Sequence, residues 1–176
     1  MIKRIPAPTG LTPKPEPVPT LYQRIMGPHA MGREARIELL QVFRQICTKG
    51  MTHKKDLMTQ VARMDGYQRV GTQIKRKLEN YLLTAVKRGI LERDGEYYSV
   101  LSTKLEGYDR DHLKKMFLAS MNKAWLDRED AIREFTRYMG YSRTTEGMME
   151  TGRSLIHGLL LEKRLEKDGP DLIRKV

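Results

Sequence analysis

The stretch 68–88 reads Gln-Arg-Val-Gly-Thr-Gln-Ile-Lys-Arg-Lys-Leu-Glu-Asn-Tyr-Leu-Leu-Thr-Ala-Val-Lys-Arg. At about 100° per residue, with Ile74 pointing inward, Thr72, Arg76 and Leu83 point away, and Gln73 and Asn80 lie on one shoulder. Gln, Asn and Arg are the side chains that can form paired hydrogen bonds with the edges of adenine and guanine. Lys75, Lys77 and Arg69 flank them and suit phosphate oxygens. His53, Lys54 and Lys55 would cross the nucleic-acid backbone, and Arg93 would touch it from a neighbouring hairpin. The chemistry these residues can do is recognition of a polyanion. A solvated polar helix face is the competing reading of the same pattern. Leu83, apolar on the outer side, is expected to mark a packing contact with the second half of the chain.

Bond-breaking chemistry finds no matching constellation. His29, His53, His112 and His157 stand in unrelated places, and none has the spacing of a zinc site with Cys47 or with another histidine. There is no GxxxxGK[ST] phosphate loop and no GxSxG nucleophile turn. Asp127, Glu129 and Asp130 are acidic neighbours, but they open a helix, where negative charge is favoured. A non-enzymatic protein without metal or cofactor is expected. Cys47 is the one cysteine, so no internal disulfide can form, and it reads as a small core residue in a reducing compartment.

Whole-chain composition agrees with a polyanion partner. The 176 residues carry 33 Lys and Arg against 22 Asp and Glu, a formal charge of +11, with pI about 9.8 and mean hydropathy −0.59. No apolar run approaches the roughly 18–20 residues of a membrane span. The basic start Met-Ile-Lys-Arg-Ile-Pro has no apolar stretch after it, so a secretory leader is not expected. A cytoplasmic, nucleoid-associated location follows from this reading.

The elements that must hold these side chains can be read from spacing. Seven of eight prolines precede residue 30, and Pro13 to Pro19 alternates proline at every second position. Residues 1–30 are therefore expected to form a proline-rich, disordered arm, with Leu21, Tyr22 and Ile25 as anchors for a docking contact. Ile37, Leu40 and Phe43 start a helical pattern from about Gly32 to Thr48. Thr52 is expected to cap a second helix, His53 to Met64. A third runs from Val70 to Arg88, with Gly89 at its end. Residues 90–100 place two β-prone runs around Asp94-Gly95, a strong hairpin signal.

The same order recurs after a shift of about 74 residues. Leu39 meets Leu113, Phe43 meets Phe117, Asp56 meets Asp130, Gly66-Tyr67 meets Gly140-Tyr141, and Asp94-Gly95 meets Asp168-Gly169. Second-unit helices are expected at Arg110–Asn122, Arg128–Met139 and Thr145–Lys163. Pro170 and Lys175 predict a short or frayed second hairpin. Trp125, at the entry to a helix, is expected in the core or as a staple. The fold expected is mainly α with small β-hairpin wings: tandem winged helix-turn-helix units, at 31–103 and 104–176.

The two units differ in charge. Residues 68–88 hold six basic side chains and one acidic; residues 142–162 hold two basic and three acidic. The second unit is therefore expected to dock a protein partner or dimerise, through Met148, Met149 and Leu159 in a methionine-rich helix. A closely packed core between the units is the alternative for those residues.

The stretch from Val61 to Arg76, followed by Arg88-Gly-Ile-Leu-Glu-Arg-Asp-Gly-Glu-Tyr-Tyr, resembles a small uncharacterised winged-helix module. That module occurs at the C-terminal end of large bacterial superfamily-1 helicase and nuclease proteins. Gly66, Tyr67, Arg69, Gly71, Ile74 and Gly95 carry the resemblance; the second unit follows it weakly, with Thr145 in place of Gly71. It implies an accessory role, with no motor or nuclease activity, in a bacterial or phage nucleic-acid complex. The function expected is non-catalytic binding of double-stranded DNA by the first unit. The alternative is a structural adaptor subunit that binds a protein or RNA partner within a larger nucleoprotein complex.

Overall fold

A computed structural model describes residues 33–64 and 70–176. The proline-rich arm, with Leu21 and Tyr22, lies outside the described residues, as do Gly66, Tyr67 and Arg69. The first half runs α1 (Arg33–Cys47), β1 (Thr52–His53), α2 (Lys54–Met64), α3 (Thr72–Lys87), β2 (Leu91–Asp94) and β3 (Tyr97–Val100). A 3-10 turn at Leu105–Gly107 leads into the second half. That half runs α4 (Arg110–Ser120), β4 (Leu126–Asp127), α5 (Arg128–Tyr138), α6 (Glu146–Leu161), β5 (Leu165–Asp168) and β6 (Leu172–Lys175). The chain is thus mainly helical, with two small antiparallel three-stranded sheets ordered β1-β3-β2 and β4-β6-β5.

Each helix is set by an apolar stripe and by what satisfies its first N–H groups. Leu39, Leu40, Phe43, Ile46 and Cys47 bury one face of α1. Asp109, Asp127 and Thr145 cap α4, α5 and α6 with side-chain oxygens. Asp127 accepts from the N–H groups of both Glu129 and Asp130, so this acidic group is a helix start. Thr52 does not cap α2 as expected. It sits in β1, and its hydroxyl donates to Gly50 O. The first N–H of α2 instead donates to the hairpin carbonyl of Glu96 at 2.8 Å, and the first N–H of α5 donates to Asp171 O at 2.9 Å. The hairpin thereby completes the start of the second helix in both halves.

The elements repeat at an offset of 74 residues, from Lys54 to Arg128 and from Thr72 to Glu146, until the last turn. In the first hairpin Asp94 pairs with Tyr97, across Gly95 and Glu96. In the second, Asp168 pairs with Leu172 across Gly169, Pro170 and Asp171, which adds one residue. The second hairpin is not frayed: both of its strands have four residues, like those of the first. Pro170 falls inside the turn, where its missing N–H costs no ladder bond. Lys175 is held by its ammonium donating to Leu118 O at 3.3 Å.

Two hydrophobic clusters form, one from Leu39 to Tyr98 and one from Leu105 to Ile173. Cys47 lies in the first and is 2% exposed. Between the clusters runs a polar seam. The Arg44 guanidinium donates to Tyr108 Oη and Met139 O, both at 3.2 Å, and to Ser102 O. It also stacks 3.8 Å over the Tyr141 ring. Gln41 Nε2 donates to Tyr141 O at 3.1 Å. Arg88 stacks 3.8 Å over the Tyr138 ring and donates to Tyr138 O, and the His112 ring meets Arg88 O at 3.1 Å. A Cβ on Gly140 would sit 3.3 Å from Leu40 O, which shows how closely the halves approach. Leu83 takes no part in this seam and stays exposed. The contact runs through α1 and the end of α3.

Candidate nucleic-acid interface

The outer face of α3 carries Thr72, Gln73, Lys75, Arg76, Lys77 and Asn80, all exposed. Ile74, Leu78, Tyr81, Leu82 and Ala85 turn the other way, into or against the first core. The apolar stripe of α3 therefore fixes which way Gln73, Arg76 and Asn80 point. Among the described residues no ion pair holds Lys55, Lys75 or Arg76. Gly71 precedes α3 and provides no side-chain cap, and no acidic residue lies in the first turn. Among the described residues no side chain caps the first N–H groups, at the positive end of the helix dipole.

The matching end of α6 is closed. The Thr145 hydroxyl accepts from Met148 N–H, and Glu146 and Glu150 stand exposed beside it. Glu146 also pairs with Arg153 at 3.0 Å. The two equivalent helices thus present opposite electrostatics at the same place in the fold.

Three of the expected phosphate contacts have work inside the chain. Lys54 pairs with Glu79 at 2.9 Å, tying the start of α2 to α3. This bond holds the Lys54 ammonium above its ordinary pKa and the Glu79 carboxyl below its own. Arg93 folds onto its own turn: its Nε donates to Gly95 O at 2.6 Å and its guanidinium reaches Glu96 at 3.4 Å. The His53 ring meets Tyr97 edge-on at 5.2 Å, and its Nδ1 accepts from Lys55 N–H. Lys55 is exposed at the start of α2.

The expected docking set of the second unit changes. Met149 and Leu159 are 8% and 0% exposed and lie in the second core, so neither can meet a partner. They face inward because α6 packs flat on α5, where Gly152 brings the two helices together. Met148 is half-buried against the same core. The exposed large apolar residues here are Trp125, Leu161, Leu172 and Val176. Trp125 is not a core residue: it stands 39% exposed, with the Arg174 guanidinium 4.7 Å from its ring.

The buried Arg44 was not among the residues expected from the sequence. For Arg44 a signal was present, because the charge falls on the apolar stripe between Leu40 and Cys47, where a solvated side chain cannot sit. The chain matches no protein-family profile, no curated protein and no solved structure.

Proposed function

We propose that each repeated unit is a winged helix-turn-helix and that the first binds double-stranded DNA, without catalysis, by laying α3 in the major groove. The observation that carries this reading is the exposed row of Gln73, Arg76 and Asn80 on α3, flanked by Lys55, Lys75 and Lys77. Base edges are read by the row and phosphates by its flanks. The second unit, acidic on its equivalent helix, stays off the duplex and docks a partner through exposed apolar residues such as Trp125 and Leu161. The resemblance of residues 61–100 to a winged-helix module agrees with an accessory role.

Fluorescence anisotropy with a 30-base-pair duplex and a matched RNA, at several salt concentrations, tests this. Log K should fall with log[salt] by about 0.9 per phosphate contact, so contacts from Lys55, Lys75 and Lys77 give a slope of about −2.7. Arg76→Ala should weaken duplex binding by about 1–3 kcal/mol and relax sequence preference. Unchanged binding by that variant refutes the groove assignment. A flat salt dependence, or no duplex binding at low salt, favours the adaptor role instead.

A further inference from the structure

Leu83 packs on neither hydrophobic cluster. It is 48% exposed, and no other large apolar side chain is exposed on α3. A lone exposed leucine is ordinary on a protein surface; the position of this one carries information. With Arg76 taken as zero, Leu83 falls about 20° to one side of it round the helix, Lys87 about 20° to the other and Asn80 about 40°. All four side chains are exposed. Leu83 therefore lies inside the polar row that carries the recognition chemistry, not at its edge. The nearest carboxylate round the helix, Glu79, is held by Lys54 at 2.9 Å. On α6 the places of Arg76, Asn80 and Leu83 are taken by Glu150, Ser154 and His157, so the combination belongs to the first half.

We infer that Leu83 is a specificity-determining residue that reads thymine; the inference rests on the reading of α3 as the groove helix. The one apolar group on a base edge in the major groove is the C5-methyl of thymine. Every other group there forms hydrogen bonds, and a leucine laid on one removes its water without replacing it. Leu83 thus favours thymine at one position and disfavours the other bases there. Arg76 fixes where that position lies. Seven residues separate the two side chains, a rise of about 10.5 Å along the helix. Base pairs follow one another at about 3.4 Å, so the thymine lies about three base pairs from the base that Arg76 contacts. With guanine as the partner of Arg76, the preferred duplex carries a guanine and a thymine about three base pairs apart.

The test begins with selection from a randomised 30-base-pair duplex library by the full chain and by Leu83→Ala. Duplexes selected by the parent should carry guanine and thymine at that spacing. Those selected by Leu83→Ala should keep the guanine and lose the thymine. One parent-selected duplex is then made with deoxyuridine in place of that thymine, which removes the methyl and nothing else. In fluorescence anisotropy the parent should bind it about fourfold more weakly, the worth of one buried methyl. Leu83→Ala should bind the two duplexes equally. No duplex binding by the parent at low salt, or unchanged binding by Arg76→Ala, overturns the groove reading and this inference with it. Where the parent binds duplex and Arg76→Ala weakens it, three results overturn this inference alone: no thymine in the parent's selection, the same thymine in that of Leu83→Ala, or equal parent affinity for the thymine and deoxyuridine duplexes.

Discussion

The turn after the third helix of each half offers a paired test of backbone strain. Gly89 and Lys163 occupy the same place, 74 residues apart, and both have positive φ, 69° and 55°. The bonds match as well. Gly89 and Lys163 donate N–H to Val86 O and Leu160 O, and Ile90 and Arg164 donate to Ala85 O and Leu159 O, all at 2.9–3.0 Å. Only the side chain differs. A non-glycine residue in the left-handed region costs about 1–2 kcal/mol. Glycine returns part of that gain, about 0.5–1 kcal/mol, through its larger freedom in the unfolded chain. Lys163→Gly should therefore stabilise the protein by about 0.5–1 kcal/mol, a rise of roughly 2 °C for a chain of this size. Gly89→Ala should do the opposite, and more strongly. Its Cβ would add contact at 2.7 Å with the His112 ring, which is itself engaged with Arg88 O. A loss of about 2–3 kcal/mol is expected. Urea unfolding followed by circular dichroism gives both midpoints, and Trp125, the one tryptophan, reports the second half separately. A Lys163→Gly midpoint at or below that of the parent, at unchanged slope, would refute the strain argument.

Gly152→Ala tests close packing of α5 on α6. Its Cβ would lie 2.6 Å from two carbons of the fully buried Ile132, so a net loss of about 1–3 kcal/mol should appear in urea melts despite alanine's better helix propensity. Arg44→Met removes three bonds across the seam and should cost on the order of 3 kcal/mol. The Trp125 transition should then separate from that seen by circular dichroism; coincident transitions at the parent midpoint would contradict the seam's role. Burial pushes the Cys47 thiol up to about 11, so iodoacetamide at pH 8 should label it only as fast as the protein unfolds, as mass spectrometry can show. The Glu79 carboxyl is held down by Lys54, so this contact contributes above the ordinary value of 4.5. That contribution should fade as pH falls through the lower folded value, and Glu79→Gln should flatten that part of the acid-denaturation curve.

Spacing and turn chemistry determined much of this protein before any coordinates. Apolar periods of three and four residues placed the three described helices of the first half, and the 74-residue repeat carried them to the second, each to within two residues at each end. Asp94-Gly95 and Asp168-Gly169 marked both hairpins, because that pair meets a tight turn's need for positive φ locally. The inward side of Ile74 fixed the outward side of Gln73, Arg76 and Asn80, because a helix links the two by rotation alone. What depends on distant partners was not legible. The two-residue strands β1 and β4 are too short to show a period, and only their pairing with β3 and β6 makes them strands. Met149 and Leu159 read as a contact surface because a sequence cannot say which neighbour consumes an apolar face. Packing α6 on α5 decided that. Lys54 and Arg93 read as free cations, but Glu79 and the hairpin turn claimed them. Arg44 shows the same division most sharply: its position on an apolar stripe is in the sequence, while Ser102, Tyr108, Met139 and Tyr141 reach it only when the two halves meet. Local geometry follows from neighbours along the chain, and the fate of a charge or an apolar face follows from neighbours in space.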